Sequence, residues 1–283
     1  MIELEGLPEL HEPVLVLAFE GWNDAAEAAT SVLDHLAEVF SATQFAEVDP
    51  EDYYDFQVNR PQISVGDSGV RSLTWPGASV WSARLPDGRD LVLVRGVEPS
   101  MRWRSFASEV VGLAFELDVL QVVALGSLLA DTPHTRPVPI TAVVSDPGLA
   151  RSLDLLGTHY EGPTGIVGVL AEAFSRAGID TLSFWASVPH YVAQAPCPKA
   201  SLELLRRVED VLEISLPLGD LEEEARAWER GVDELASEDE EIADYVRTLE
   251  EARDTADLPE ASGEAIAEAF ERFLQRRDPG PDA

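Results

Sequence analysis

The residues best suited to chemistry follow a run of apolar residues near the N-terminus. Glu20, Asn23 and Asp24 come after the run at 14–19, and an alanine-rich helical pattern begins directly behind them. In open α/β sheets, ligands bind outside the carboxyl ends of strands and against helix N-termini. Asn23 and Asp24 are also common capping residues, so helix capping is their default role. Glu20 has no such structural explanation and is the stronger functional candidate.

Polar residues after the other apolar runs should reach the same crevice, because the carboxyl ends of parallel strands meet at one edge of a sheet. The candidate crevice residues are Glu20, Asn23, Ser127, Asp131, His134, Thr164 and His190. For Asp131 and His134 the alternative is a turn held by hydrogen bonds between side chains and backbone, since Asp, Thr and His are ordinary turn residues. Convergence of the seven would form a small-molecule site.

A glycine-rich segment offers a possible anion site. Residues 162–168 contain Gly-x-x-Gly-x-x-Gly and lead into a helical pattern, whose free N–H groups could hold a phosphate. The segment lacks the Lys-Ser or Lys-Thr pair of a P-loop, and close packing of a helix on a sheet explains the glycines equally well. The loop at 20–24 has neither the glycine spacing of the dinucleotide-binding motif Gly-x-Gly-x-x-Gly nor that of a P-loop.

The sequence contains no recognised catalytic set. Cys197, the only cysteine, precedes a helical pattern that could lower its pKa and activate it beside His190, although a lone cysteine is more often simply buried. There is no Gly-x-Ser-x-Gly motif, and no two of the five histidines have the i, i+4 spacing of a helical zinc site. We therefore predict no metal and no cofactor.

Alternating strands and helices must position these residues. The strand candidates are the apolar runs at 14–19, 43–48, 70–75, 79–84, 90–95, 119–126, 140–145 and 181–188. Helical patterns begin after Asn23, after Ser100, near Gly165 and after Pro198. This alternation predicts a three-layer α/β/α core domain over residues 1–218 with a mixed, mainly parallel sheet. The runs at 70–75 and 79–84 are expected to pair as an antiparallel hairpin.

The composition changes at about Gly219. Residues 220–254 include fifteen acidic and four basic residues and no proline. Apolar residues there alternate by four and three over about four heptads, broken by Asp239, which predicts a long amphipathic helix. A turn and a second helix would complete an acidic helical hairpin over residues 219–276, and a disordered tail would occupy 277–283. Packing within the chain and packing across subunits both remain open.

The acidic composition excludes several classes of partner. The chain has 53 acidic and 20 basic residues, a formal net charge of −33. This charge repels nucleic acid and anionic membranes, so neither is expected to bind. No apolar run is long enough for a membrane span, and the N-terminus lacks a secretion signal. With a single cysteine, these features predict a cytoplasmic protein.

Several motifs, in order along the chain, resemble the proteasome assembly chaperone 2 family and its largely uncharacterised actinobacterial branch. They lie at residues 19–26, 126–131, 133–137, 162–165, 189–192 and 196–200, with further likeness in the acidic segment around Trp228 and at 245–250. The resemblance spans about residues 12–250. It implies a phosphorylase-like α/β/α core, a helical C-terminal extension and a closed homo-oligomer, with a trimer expected. No catalytic residues belong to the family, so it transfers none to this chain.

Two functions follow. The first is a non-enzymatic protein-interaction or assembly-chaperone-like protein, whose expected partners are further copies of itself and, from the resemblance, proteasome-related subunits. The alternative is a small-molecule enzyme, phosphorylase-like or carboxylate–amine ligase-like, that uses the crevice at the carboxyl ends of the strands. The fold analogy supports the enzyme only weakly, because related folds carry unrelated functions.

Overall fold

The computed structural model describes residues 2–4, 8–66, 69–144 and 160–256, which form ten strands and six α-helices. The strands are β1 (Ile2–Leu4), β2 (Val14–Glu20), β3 (Thr43–Val48), β4 (Gln62–Val65), β5 (Arg71–Thr74), β6 (Ala78–Arg84), β7 (Asp90–Val97), β8 (Gln121–Ala130), β9 (Ile140–Val144) and β10 (Asp180–Pro189). The helices are α1 (Ala28–Val39), α2 (Trp103–Glu116), α3 (Ile166–Arg176), α4 (Pro198–Leu212), α5 (Leu221–Glu238) and α6 (Glu240–Ala256).

Eight of these strands form one sheet in the order β1-β3-β6-β7-β2-β8-β10-β9. The central strands β7, β2, β8 and β10 are parallel, whereas the outer pairs are antiparallel. With β3, five of the eight strands run in one direction. The carboxyl ends of the four central strands therefore meet at one edge, as the sequence predicts.

Strand β2 shows why the core has three layers. All six residues from Val14 to Phe19 are at most 3% exposed, which is typical of a parallel strand covered on both faces. Val14, Val16 and Ala18 pack with α1 and α4, while the alternate residues, Leu15, Leu17 and Phe19, pack with α2 and α3. The predicted α/β/α fold class, with its mixed, mainly parallel sheet and helical C-terminal extension, is confirmed.

The expected hairpin between 70–75 and 79–84 is wrong. Strand β6 pairs with β3 and β7 inside the main sheet. Strand β5 pairs instead with β4, a short segment that the apolar pattern did not identify, and the two form a separate two-stranded sheet. Alternation of apolar residues indicates a strand but not its partner, so β6 could join the buried sheet while β5 stays outside it.

The acidic C-terminal segment is divided at Asp239, where one long helix was expected. Asp239 has extended backbone angles (φ −128°, ψ 112°), and its Oδ1 accepts a hydrogen bond of 2.9 Å from the Glu241 N–H. It thus ends α5 and caps α6. We call α5 and α6 together the acidic arm. The predicted second helix of the hairpin, up to residue 276, and the tail at 277–283 lie outside the described residues.

Candidate functional site

The loop after β2 closes against the neighbouring strand β8. Gly21 adopts φ +109°, a conformation that favours glycine, and turns the chain back toward the sheet. The Ser127 N–H then donates to the Asn23 carbonyl at 2.8 Å, and Asp24 forms a parallel bridge with Ser127. The loop itself therefore fills the space between the ends of β2 and β8.

Asp24 stabilises the start of α1, which confirms its predicted capping role. Its Oδ1 accepts hydrogen bonds from the backbone N–H of Ala29 at 2.7 Å and of Thr30 at 3.4 Å. Its carboxylate also accepts from the hydroxyls of Thr30 and Ser127. Burial raises the pKa of Asp24, and these hydrogen bonds partly offset that rise by stabilising the carboxylate.

Asn23 contacts a different helix from the one that it was expected to cap. Its buried amide donates from Nδ2 to Glu98 Oε1 at 2.6 Å, and the same oxygen accepts from the Ile166 N–H at 2.8 Å. Glu98 thus places a carboxylate of the protein itself at the N-terminus of α3. Gly165 leaves room for this arrangement, since a β-carbon there would lie 2.2 Å from Asn23 Oδ1.

This arrangement decides between the two interpretations of residues 162–168. The N–H group of Ile166 that could bind a phosphate already binds Glu98, and a second anion beside that carboxylate would be repelled. Close packing explains Gly165. Sequence analysis missed Glu98, which directly follows the carboxyl end of β7, because the predicted strand stopped two residues too early to place it.

Glu20 lies in a groove away from Asn23's buried contacts. Its carboxylate is half-exposed and pairs with Arg95 Nη1 at 3.0 Å, and Arg95 also binds Asp34 at 2.6 Å. This groove has a volume of about 940 Å³ and runs between the main sheet and the β4–β5 pair. The ion pair with Arg95 supplies the structural role that the sequence did not reveal.

Thr164 lines a second groove, of about 980 Å³, beside α3. Its walls include Trp22 and Leu128, which are 63% and 43% exposed, and Trp185. The Trp185 ring lies against Gly126, where a β-carbon would come within 2.5 Å of the ring. Most of this lining is apolar, and Thr164 is one of several hydroxyl groups along it.

Asp131 and His190 lie together beneath the acidic arm. His190 Nδ1 is 3.1 Å from Asp131 Oδ1, and the Tyr245 hydroxyl in α6 donates to the same oxygen at 3.1 Å. The rings of His190 and Tyr245 meet edge to face, with centroids 5.4 Å apart. This loop of the core therefore binds the arm.

His134 makes the most buried contact with the arm. Its side chain is 1% exposed, and it lies between Tyr191 and Asp233 of α5. The Tyr191 hydroxyl accepts from the His134 N–H at 2.8 Å and lies 2.8 Å from Nδ1, while Nε2 lies 3.0 Å from Asp233 Oδ1. All these bonds are satisfied when the hydroxyl donates to Nδ1 and Nε2–H donates to the carboxylate.

Basic residues of the core hold the acidic arm at further points. Lys199, the only lysine in the chain, pairs with Glu229 at 2.6 Å and donates to the His134 carbonyl. Arg136 pairs with Glu250 at 3.2 Å and with Asp254 at 2.8 Å. The described part of the arm thus packs within its own chain, and part of its negative charge is neutralised there.

The seven candidate residues therefore fall into separate places. Asn23 and Ser127 belong to the closed loop after β2, Glu20 and Thr164 line different grooves, and the remaining three (Asp131, His134, His190) bind the arm. Within the described ranges, no three His, Cys, Asp or Glu side chains come together as a metal site. None of the helices in those ranges has the length and apolar character of a membrane span.

Cys197 is fully buried at the start of α4. Burial raises the pKa of its thiol to about 11, because a thiolate there would lose its hydration, and this outweighs the effect of the helix start. We expect iodoacetamide at pH 8 to alkylate Cys197 at least about 100-fold more slowly in the folded chain than in the urea-unfolded chain, given two pKa units and restricted access. Mass spectrometry follows the reaction, and similar rates in the two states would contradict burial.

Comparison with known proteins finds relatives over most of the chain. The sequence profile of the PAC2 family matches residues 18–236. A PAC2 family protein from Streptomyces avermitilis is 57% identical, with a TM-score of 0.78 over 83% of this chain and 99% of its own. A proteasome-assembly chaperone homologue from Mycobacterium tuberculosis is 52% identical, with a TM-score of 0.76 over 82% and 99%.

More distant structures share the fold. An archaeal proteasome activator from Pyrococcus furiosus is 16% identical, with a TM-score of 0.67 over 83% of this chain and 98% of its own, which supports likeness of fold alone. None of the curated proteins matches this chain.

Proposed function

Because the chain belongs to the PAC2 family, we propose that it is a non-enzymatic, cytoplasmic interaction protein with an assembly-chaperone-like role. Its proposed partners are proteasome-related subunits and further copies of itself, with a trimer as the expected oligomer. The similarity to a proteasome-assembly chaperone homologue at 52% identity supports this choice of partner.

The observation that carries the proposal is that polar residues at the carboxyl edge of the sheet bind other residues of the chain, among them those of the acidic arm. The imidazoles of His134 and His190, which are the groups most suited to acid–base chemistry there, bind Asp233 and Asp131. These contacts order an arm whose outer surface carries many exposed carboxylates. A rigid acidic surface is suited to recognising a basic protein surface, because electrostatic complementarity increases both the association rate and the specificity.

Affinity capture of the tagged full chain from a lysate of its native host tests this proposal. We expect a proteasome-related subunit to be recovered and quantified by mass spectrometry. Changing the exposed residues Glu223, Glu224 and Glu234 of the arm to glutamine should reduce recovery at least tenfold, because it removes the charge but keeps the side-chain size.

The control makes the same kind of change at three exposed acids away from the arm, Glu116, Asp118 and Glu213. Equal loss in both variants would mean that capture depends on net charge alone. Recovery of this chain with no other protein would contradict the proposed role.

A further inference from the structure

The two-stranded sheet of β4 and β5 extends from the core without being covered by it. All eight of its residues are exposed. Ile63 pairs with Leu73 and Val65 with Arg71, while Ser64 pairs with Ser72. Directly opposed residues share a face and neighbours alternate, so one face carries the apolar side chains and the other the hydroxyl groups. We call the first the apolar hairpin face.

This apolar face is unusually open to solvent. Ile63, Val65 and Leu73 are 59%, 64% and 51% exposed. The connecting residue Val70 is also exposed, at 66%. A two-stranded hairpin is marginally stable in water unless a further strand or surface covers its apolar side. The alternation of apolar and polar residues is that of a half-buried sheet, which indicates that a surface outside the described part of this chain covers it.

The charge of the hairpin indicates what that surface is. Residues 58–76 of the sequence include Arg60, Arg71 and one acidic residue, Asp67, although the chain has 53 acidic residues. Two copies with a net charge of −33 repel each other at most orientations. Because this segment has more basic than acidic residues, a second copy can approach it with little like-charge repulsion, and the carboxylates of that copy can pair with the arginines.

We propose that the apolar hairpin face packs against a different surface of a second copy of this chain, where carboxylates of that copy pair with Arg60 and Arg71. This inference rests on the proposed self-association and identifies its contact surface. Arg71 lies on the apolar face beside Val65, and the combination of aliphatic groups with an arginine is typical of the centre of a protein interface. A contact between two different surfaces of the same chain is heterologous, so repeating it closes a ring or extends a filament.

Matched variants in the same strand test the proposal in the full chain. Ile63→Asp places a carboxylate on the apolar face, and Gln62→Asp places one on the opposite face of the adjacent position. Sedimentation velocity over a concentration series should show that wild type associates and that Ile63→Asp raises the dissociation constant at least tenfold. Gln62→Asp should remain within about threefold of wild type. Arg71→Gln should weaken association and its dependence on salt.

The folded state of each variant is checked by circular dichroism, and substitution at exposed positions should leave the thermal midpoint close to that of wild type. A monomeric wild type at 100 µM would overturn the proposal. An oligomer that Ile63→Asp leaves intact, or that both aspartate variants dissociate equally, would also overturn it. If the Ile63→Asp variant still forms the oligomer, the proposed self-association stands but uses another surface. The affinity capture above tests the recognition of other proteins separately.

Discussion

Replacing Gly165 with alanine is expected to lower the free energy of unfolding by about 2–4 kcal/mol, because it both overpacks a closed site and disrupts buried hydrogen bonds. The added β-carbon would lie 2.2 Å from Asn23 Oδ1 and 2.6 Å from Glu98 Oε1. Moving Glu98 away would also break its bond to the Ile166 N–H at the start of α3. Gly165 has φ −96° and ψ −170°, which alanine adopts readily, so the cost comes from space and not from the backbone.

Urea unfolding of both proteins, followed by circular dichroism, measures this loss. Gly112→Ala is the matched control, because Gly112 lies inside α2 and an added β-carbon meets no atom within 4 Å. That control should leave stability unchanged or raise it by up to about 1 kcal/mol, since alanine favours a helix more than glycine does. Equal stability of Gly165→Ala and wild type would show that Asn23 and Glu98 do not hold the positions described here.

The main elements of the fold could be predicted because local patterns determine them. The continuous apolar run at 14–19 predicts a strand buried on both faces, and β2 is such a strand. Asp24 was likewise predictable as a cap, because capping depends on residues close in sequence. Pairing was harder: β5 and β6 were both recognised as strands, but their alternation did not identify β4 and β7 as their respective partners.

The arrangement of the polar residues could not be predicted, because it depends on contacts between residues far apart in sequence. Glu98 binds Asn23 and Ile166, while His134 binds Asp233 almost a hundred residues later. The strand-end rule predicted that the candidates lie at one edge of the sheet. It could not show which of them would bind each other, since the loops and the arm decide how each side chain is used.

The contact between the arm and the core could have been partly anticipated from charge. The acidic segment needed cations, and the sole lysine, Lys199, lies in the first turn of α4, the last helix before the composition changes. Lys199 pairs with Glu229 and so supplies one of these cations to the arm. The heptad pattern alone left both packing in cis and packing across subunits open, because it defines an apolar face without its partner. In the described residues, Leu221, Ala225 and Trp228 of that face pack in one cluster with residues of α4 of the same chain.

Replacing His134 with alanine is expected to release the acidic arm from the core. The change removes a buried imidazole, so that the Tyr191 hydroxyl loses its acceptor Nδ1 and the Asp233 carboxylate loses its donor Nε2, while the backbone N–H of residue 134 still donates to Tyr191. The combined cavity and lost hydrogen bonds should cost about 2–4 kcal/mol. Because the arm has few buried apolar residues, this loss should exceed what holds it locally, and α5 and α6 should open while the sheet stays folded.

Hydrogen exchange of the backbone amides distinguishes this local release from global unfolding. In His134→Ala, exchange should accelerate at least tenfold across residues 221–256 and remain close to wild type in β2 and β8. Arg247→Ala is the control, because Arg247 is 66% exposed and pairs only with Asp244 of its own helix among the ion pairs of the described chain. Uniform acceleration across the sheet and the arm would mean that His134 stabilises the whole core. No change in either region would mean that the cations of the core, Lys199, Arg136 and Arg206, hold the arm without His134.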